Sequence, residues 1–185
     1  MSDSYTGRLI VATPNIEDPN FWRAVVLLCA HDKEGAFGLV LNHSLDGESV
    51  AGHLPDWDGL AEAPAVLFRG GPVATNSVFA IATSDDLPVD RWGLRISPGL
   101  GLINPSKGPE HFEGRLGHLR FFAGYAGWGA TQLETEIADH GWFIVDALPN
   151  DPFESNPSDL WREVLRRQGG ELARFATHPA HPGVN

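Results

Sequence analysis

With 185 residues and a 42% hydrophobic share, the chain is long enough for one domain with a substantial core and too apolar for a disordered segment. Its formal charge of −11, with 13 basic residues against 24 acidic ones, argues against direct nucleic-acid binding, which draws much of its free energy from Lys and Arg at phosphates. Cys29 is the only cysteine, so no intrachain disulfide can form, which suits a reducing compartment and gives a cytoplasmic expectation.

The stretch "MSDSYTGRLIVATP" lacks a basic segment followed by a long apolar one, and the longest apolar run, 24–30, is too short to span a bilayer. No membrane anchor is expected. "RLIVAT" at 8–13 reads as a strand stopped by Pro14 and the turn-rich "NIEDPN". "AVVLLCAH" at 24–31 and "AFGLVLN" at 36–42 read as two buried strands of a hairpin closed by "DKEG". A polar, glycine-containing crossing follows, with a short helical piece at 50–54, before strands at 65–73 and 77–83. "LRIS" and "LGLI" around Pro98 and Gly99 suggest a second hairpin, and 109–116 a weak helix.

"HLRFFAGY" at 118–125 is the next strand. Gly124 and Gly127 then read as permitting a close turn, with Tyr125 and Trp128 packed into the core. Thr131 with Glu134 three residues on is a capping-box pattern, and Gly141 suits the position just past the end of that helix. "WFIVDA" at 142–147 is a last strand. Asn156, Pro157 and the glycines at 169 and 170 bound a final helix, and the His-Pro tail at 177–185 is expected to be flexible. Hairpins interrupted by single helices, without regular strand-helix alternation, predict an α+β fold: one domain over 1–176, built on a mixed, mainly antiparallel sheet with helices packed around it.

The chemical features are few. Cys29 and His31, two apart on a strand, are expected to share a face, where an imidazole can favour a thiolate. As nucleophile and base they start about 7 Å apart at the backbone, and with His43 they make only three metal ligands, so a structural role is favoured. The glycines of "GYAGWGATQLETEI" could admit an anion at a helix start, but there is no Lys to complete a phosphate loop, and Glu134 and Glu136 would repel one. "PGLGLIN" lacks the third glycine of a dinucleotide fingerprint, and no Gly-x-Ser-x-Gly elbow is present. The sequence points to no reaction, no metal and no cofactor.

Taken in chain order, "TPNIEDPNFWRAVVLLCAHDKEGAFGLVLN", "RGGPV" and "GYAGWGATQLETEI...GWF" resemble the YqgE/AlgH family of bacterial proteins. The resemblance places Pro14, Asp18, Phe21, Cys29, His31, Gly35, Gly38 and Asn42 in a first motif and Gly70, Gly71 and Pro72 in a second. Gly124, Tyr125, Ala126, Trp128, Gln132, Leu133, Glu134 and Glu136 fall in a third. Where family members often carry a His after Gly-Gly-Pro-Val, this chain has "FAIAT". The resemblance implies an α+β domain with no established reaction, sometimes labelled a transcriptional regulator through a link to alginate production.

Two functional readings follow. One is a non-enzymatic binding or indirectly acting regulatory module with a protein or small-molecule partner, working as a monomer or homodimer. The other is an enzyme or small-ligand-binding protein with a pocket formed by Cys29, His31, Asn42, Gly70, Gly71, Gly124, Tyr125, Trp128 and Gln132, residues at strand ends and turns where functional groups often sit.

Overall fold

The computed structural model describes residues 3–179. A sheet of ten strands forms its frame. β1 (Leu9–Ala12) lies between β10 (Trp142–Val145) and β2 (Val25–Asp32), both antiparallel to it. The expected hairpin joins β2 to β3 (Gly35–Val40), with Asp32 Oδ1 accepting the Glu34 N–H at 2.8 Å across the turn. β3 pairs with the last third of the long β9 (Leu119–Gly129). On its other edge β9 pairs antiparallel with β6 (Val73–Thr83), which leads on to β8 (Leu100–Ile103) and β7 (Leu94–Ser97). β5 (Val66–Arg69) runs parallel to β9 and antiparallel to β4 (Ser44–Ser49). The sheet is therefore mixed and mainly antiparallel, as expected.

Alternation along β1 and β2 divides the core. Leu9, Val11, Val25 and Leu27 face α3 (Leu160–Gln168) through Trp161, Val164 and Leu165, and the short α4 (Gly170–Phe175) closes the edge of that layer. Ile10, Ala12, Val26 and Leu28 face the opposite way, onto Leu133 of α2 (Gln132–Ala138) and onto Trp128 and Trp142. A third cluster around Trp57, Phe112 and Phe121 includes Val50 of α1 (Val50–His53). Each layer is a side-chain set whose burial drives folding at about 25 cal/mol per Å² of apolar surface.

Several boundaries differ from expectation, each for a physical reason. The polar crossing after Asn42 contains β4, whose exposed "DGES" carries no apolar alternation to betray an edge strand. "GYAGWG" is no turn: it continues β9, because Gly35–Gly38 of β3 supply backbone partners for Ala126–Gly129. The capping box does not form. Thr131 sits in the left-handed region at φ 63°, its side chain caps nothing, and Glu134 bonds elsewhere. At the other end of α2, His140 takes the left-handed position (φ 61°) expected of Gly141, and the Gly141 N–H bonds the Glu136 carbonyl at 2.9 Å. Residues 109–112 form only a 3-10 turn, and the α4 helix was not expected. Of the tail, 177–179 are described and 180–185 lie outside the described residues.

The junction of β3, β5 and β9 rests on glycine. The Gly70 N–H bonds the Ala123 carbonyl at 2.9 Å while its own carbonyl accepts from the Val40 N–H at 2.8 Å, so one residue ties two strands. A Cβ on Gly70 would lie 2.3 Å from the Gly124 carbonyl oxygen, and one on Gly71 2.1 Å from the Tyr125 carbonyl carbon. Backbone atoms cannot swing aside as a side-chain tip can. Gly71→Ala is therefore expected to lower unfolding free energy by about 2 kcal/mol or more, read by urea titration. Gly129→Ala, whose added methyl meets nothing nearer than 3.9 Å, is the contrast. Equal stability of the two variants would refute the close-approach account.

Candidate functional site

The residues named by the sequence fall into four places. Cys29 is fully buried in the layer facing α3. Burial pushes its thiol far above the ordinary range, since nothing compensates the desolvated thiolate. The expectation that His31 shares its face is corrected: a β-bulge between Leu28 and Ala30 adds a residue to β2, so Ala30 pairs with Phe37 and His31 with Ala36. His31 is thereby turned to the opposite side of the sheet from Cys29, toward α2.

There the His31 ring is fully engaged. Its Nδ1 accepts the Tyr5 N–H at 3.0 Å, its Nε2 lies 2.7 Å from Glu134 Oε1, and the Tyr5 ring stacks on it at 5.0 Å. Glu134 is held below the usual carboxylate range, first by a bond from its own backbone N–H and then by His31. Two residues on, Glu136 Oε2 accepts both indole N–H groups of Trp128 and Trp142 at 2.9 Å each, and its Oε1 accepts from Gln132 Nε2 at 2.9 Å. Gln132 Oε1 in turn accepts the Gly129 N–H at 3.0 Å. Trp128, Gln132, Glu134 and Glu136 are thus committed to fastening α2 onto the end of β9. Gly70, Gly71 and Gly124 form the backbone junction, with the Tyr125 ring packed on Phe37 and Phe79.

Asn42 alone among the named residues lines one of the cavities described next. Its Oδ1 accepts the Val25 N–H at 2.9 Å and its Nδ2 donates to the Arg23 carbonyl at 2.8 Å, so it clamps the chain entering β2. The clamped residue is unusual. Arg23 has φ 51°, a left-handed conformation that a bulky side chain rarely adopts and that costs on the order of 1–3 kcal/mol. Its guanidinium lies over two indoles, 4.6 Å from the Trp161 ring centroid and 5.0 Å from that of Trp22, and Nη2 donates to the His178 carbonyl at 2.6 Å. Trp161 is itself held by its indole N–H on the Ala12 carbonyl at 2.8 Å.

Two cavities open beside Arg23. One, of about 270 Å³, runs from Thr13, Asn15 and Ile16 to Trp22, Trp161 and His178. The other, of about 310 Å³, is bounded by Trp22, Arg23, Asn42, His43, Asp159 and Arg162. Arg23 makes no ion pair with any described carboxylate, and neither does Arg162, which has no hydrogen-bond partner among the described residues. Burial and the nearby Arg162 charge lower the Arg23 pKa, and burial lowers that of His43, with Arg69 adding to the effect. Asp159, bonded to Asn156 Nδ2, is the one carboxylate among the residues lining the two cavities. Sequence reasoning missed Trp22, Arg23 and Trp161, and weighed His43 only as a metal ligand. The available signal was the adjacent Trp-Arg pair in "NFWRAVV", just ahead of a buried strand. Among the described residues no group of three His, Cys, Asp or Glu is placed to hold a metal ion, and no helix is long and apolar enough to cross a membrane.

A family model described as AlgH-like matches residues 9–173. Similar proteins include a UPF0301 protein of Streptomyces avermitilis and UPF0301 protein SCO2948 of Streptomyces coelicolor. Each is 46% identical over 188 residues, covering 98% of this chain and 96% of the relative. The crystal structure of protein DIP2367 from Corynebacterium diphtheriae superposes with a TM-score of 0.85 at 32% identity, over 93% of this chain and 91% of that one. The solution structure of AlgH from Pseudomonas aeruginosa does so with a TM-score of 0.70 at 28% identity, over 98% and 97%.

Two outcomes are expected from this geometry. The Cys29 thiol of the native protein stays unmodified by a thiol reagent between about pH 5 and pH 9 and reacts on unfolding; rapid native modification would place it outside the core. Asn42→Ala strands the Val25 N–H and the Arg23 carbonyl, at a cost of about 1–3 kcal/mol by thermal or urea unfolding. No loss of stability would mean that the clamp is dispensable.

Proposed function

This chain belongs to the AlgH-like family, and we propose that it acts there as a non-enzymatic binding module whose binding site is the cleft around Arg23. The observation that carries this reading is Arg23 itself. A half-buried cation in a strained backbone conformation, laid over two indoles beside two cavities and without a carboxylate partner among the described residues, is costly to keep for stability alone. Strain and desolvation of this kind concentrate at binding sites.

The alternative pocket near Cys29 and His31 has less support. Cys29 has no exposed surface, His31 is saturated by Tyr5 and Glu134, and the bulge sets the two on opposite faces. Any regulatory effect would run through a bound small molecule or protein partner in the cytoplasm, because the charge of −11 works against reading nucleic acid directly.

The test is a screen of pooled metabolites by protein-observed NMR, with the indole N–H signals of Trp22 and Trp161 assigned. Binding is expected to shift those signals and the Arg23 backbone amide, with every pool component recovered unchanged. Shifts centred on His31 and Cys29, or consumption of a component, would overturn the proposal.

A further inference from the structure

The Arg23 cleft runs against the charge of the whole molecule, and that contrast identifies what it takes. The chain carries −11 overall, yet Arg23 and Arg162 both line the second cavity, where Asp159 is the one carboxylate among the lining residues. The Arg162 charge adds to burial in lowering the Arg23 pKa there, with no described carboxylate paired to either residue. Like charges brought together in a partly desolvated site are unfavourable until an anion joins them. The Arg23 guanidinium makes one described hydrogen bond, from Nη2 to the His178 carbonyl, leaving its other N–H groups for an acceptor, and a guanidinium is the side chain best shaped for carboxylate or phosphate oxygens.

Resting on the binding-module reading above, we infer that the cleft binds a small organic anion through one oxyanion group, a carboxylate or a phosphate, shared between Arg23 and Arg162. Two features limit the ligand to a small one. Cavities of about 270 and 310 Å³ sit at the lower end of ligand sites. A polyanion extending beyond the cleft would meet the acidic remainder of the protein, whereas a metabolite carrying one or two charges stays within the local positive field. The exposed Trp22 indole offers an apolar wall for the body of such a ligand.

The experiment titrates the full chain with inorganic phosphate, with succinate and with uncharged succinamide, following Trp fluorescence and the Trp161 indole N–H signal at low ionic strength. Phosphate, succinate or both should saturate the signal, and added neutral salt should weaken binding. Arg23→Asn keeps a residue that tolerates the left-handed backbone while removing the cation, and should weaken binding by roughly tenfold to hundredfold. Arg162→Gln, a change at the rim that leaves the Arg23 backbone untouched, should weaken it several-fold. Whether phosphate or succinate binds tighter decides between the two oxyanion sources. Equal binding of succinamide and succinate would overturn the anion assignment while leaving the cleft as a binding site. Anion binding unchanged in both variants, or no anion binding by the folded native chain, would overturn it outright.

Discussion

The close approach of two backbones at Gly70–Gly71 and Gly124–Tyr125 is the constraint on which the rest of the architecture depends. Because no Cβ intervenes, β5 can end against β9 and hand the same edge of that strand on to β3, through the paired bonds of Gly70 to Ala123 and Val40. β9 then serves β3 and β5 in succession on one edge and β6 on the other, which merges what would be two smaller sheets into one. The buried Arg120 reinforces the junction from below. It lies 4.4 Å over the Phe68 ring and donates to the carbonyls of Ala63, Pro152 and Glu154, tying two distant loops to the start of β9. Its burial lowers its pKa to about 10, so it remains a cation at neutral pH, neutralised by backbone dipoles and by the nearby Glu62 and Glu154.

The polar residues of the third motif have a shared task that is mechanical. Glu136 satisfies two indole N–H groups and a glutamine, Gln132 reaches back to Gly129, and Glu134 meets His31. Each bond contributes about 1 kcal/mol net, but leaving a buried indole N–H or imidazole nitrogen unmatched would cost more, so the set holds together or fails together. A helix of seven residues is too short to persist by its own propensity, and this network with Leu133 is what keeps α2 in place.

The cleft is built on different terms. Its central cation is raised to a strained backbone conformation by Asn42, which grips the residue on one side and β2 on the other, and by the turn of residues 18–24, where the Ala24 N–H reaches the Phe21 carbonyl. Packing sets the second indole: Trp161 is delivered by α3 and locked on the Ala12 carbonyl. The polar groups of the α2 network are matched to one another, whereas the guanidinium groups of Arg23 and Arg162 have no described carboxylate partner, and that difference separates scaffold from site.

Much was legible in the sequence because it is local. Apolar runs located β1, β2, β3, β6 and β9, the hairpin of β2 and β3 followed from the short polar "DKEG", and the irregular order of elements indicated a mixed, mainly antiparallel α+β fold. The three motifs carried the family. Other facts were settled only by tertiary structure, because they depend on partners far away in the chain. A bulge that depends on pairing with β3 divided Cys29 from His31, and a strand partner turned "GYAGWG" from turn to extended chain. The cleft is the clearest case: Arg23, Asn42 and Trp161 are spread over more than a hundred residues, and no pattern along the chain records that β2, β3 and α3 bring them together. Periodicity encodes which face of an element is apolar, but a charge in a cleft acquires its meaning from what folding places, or does not place, beside it.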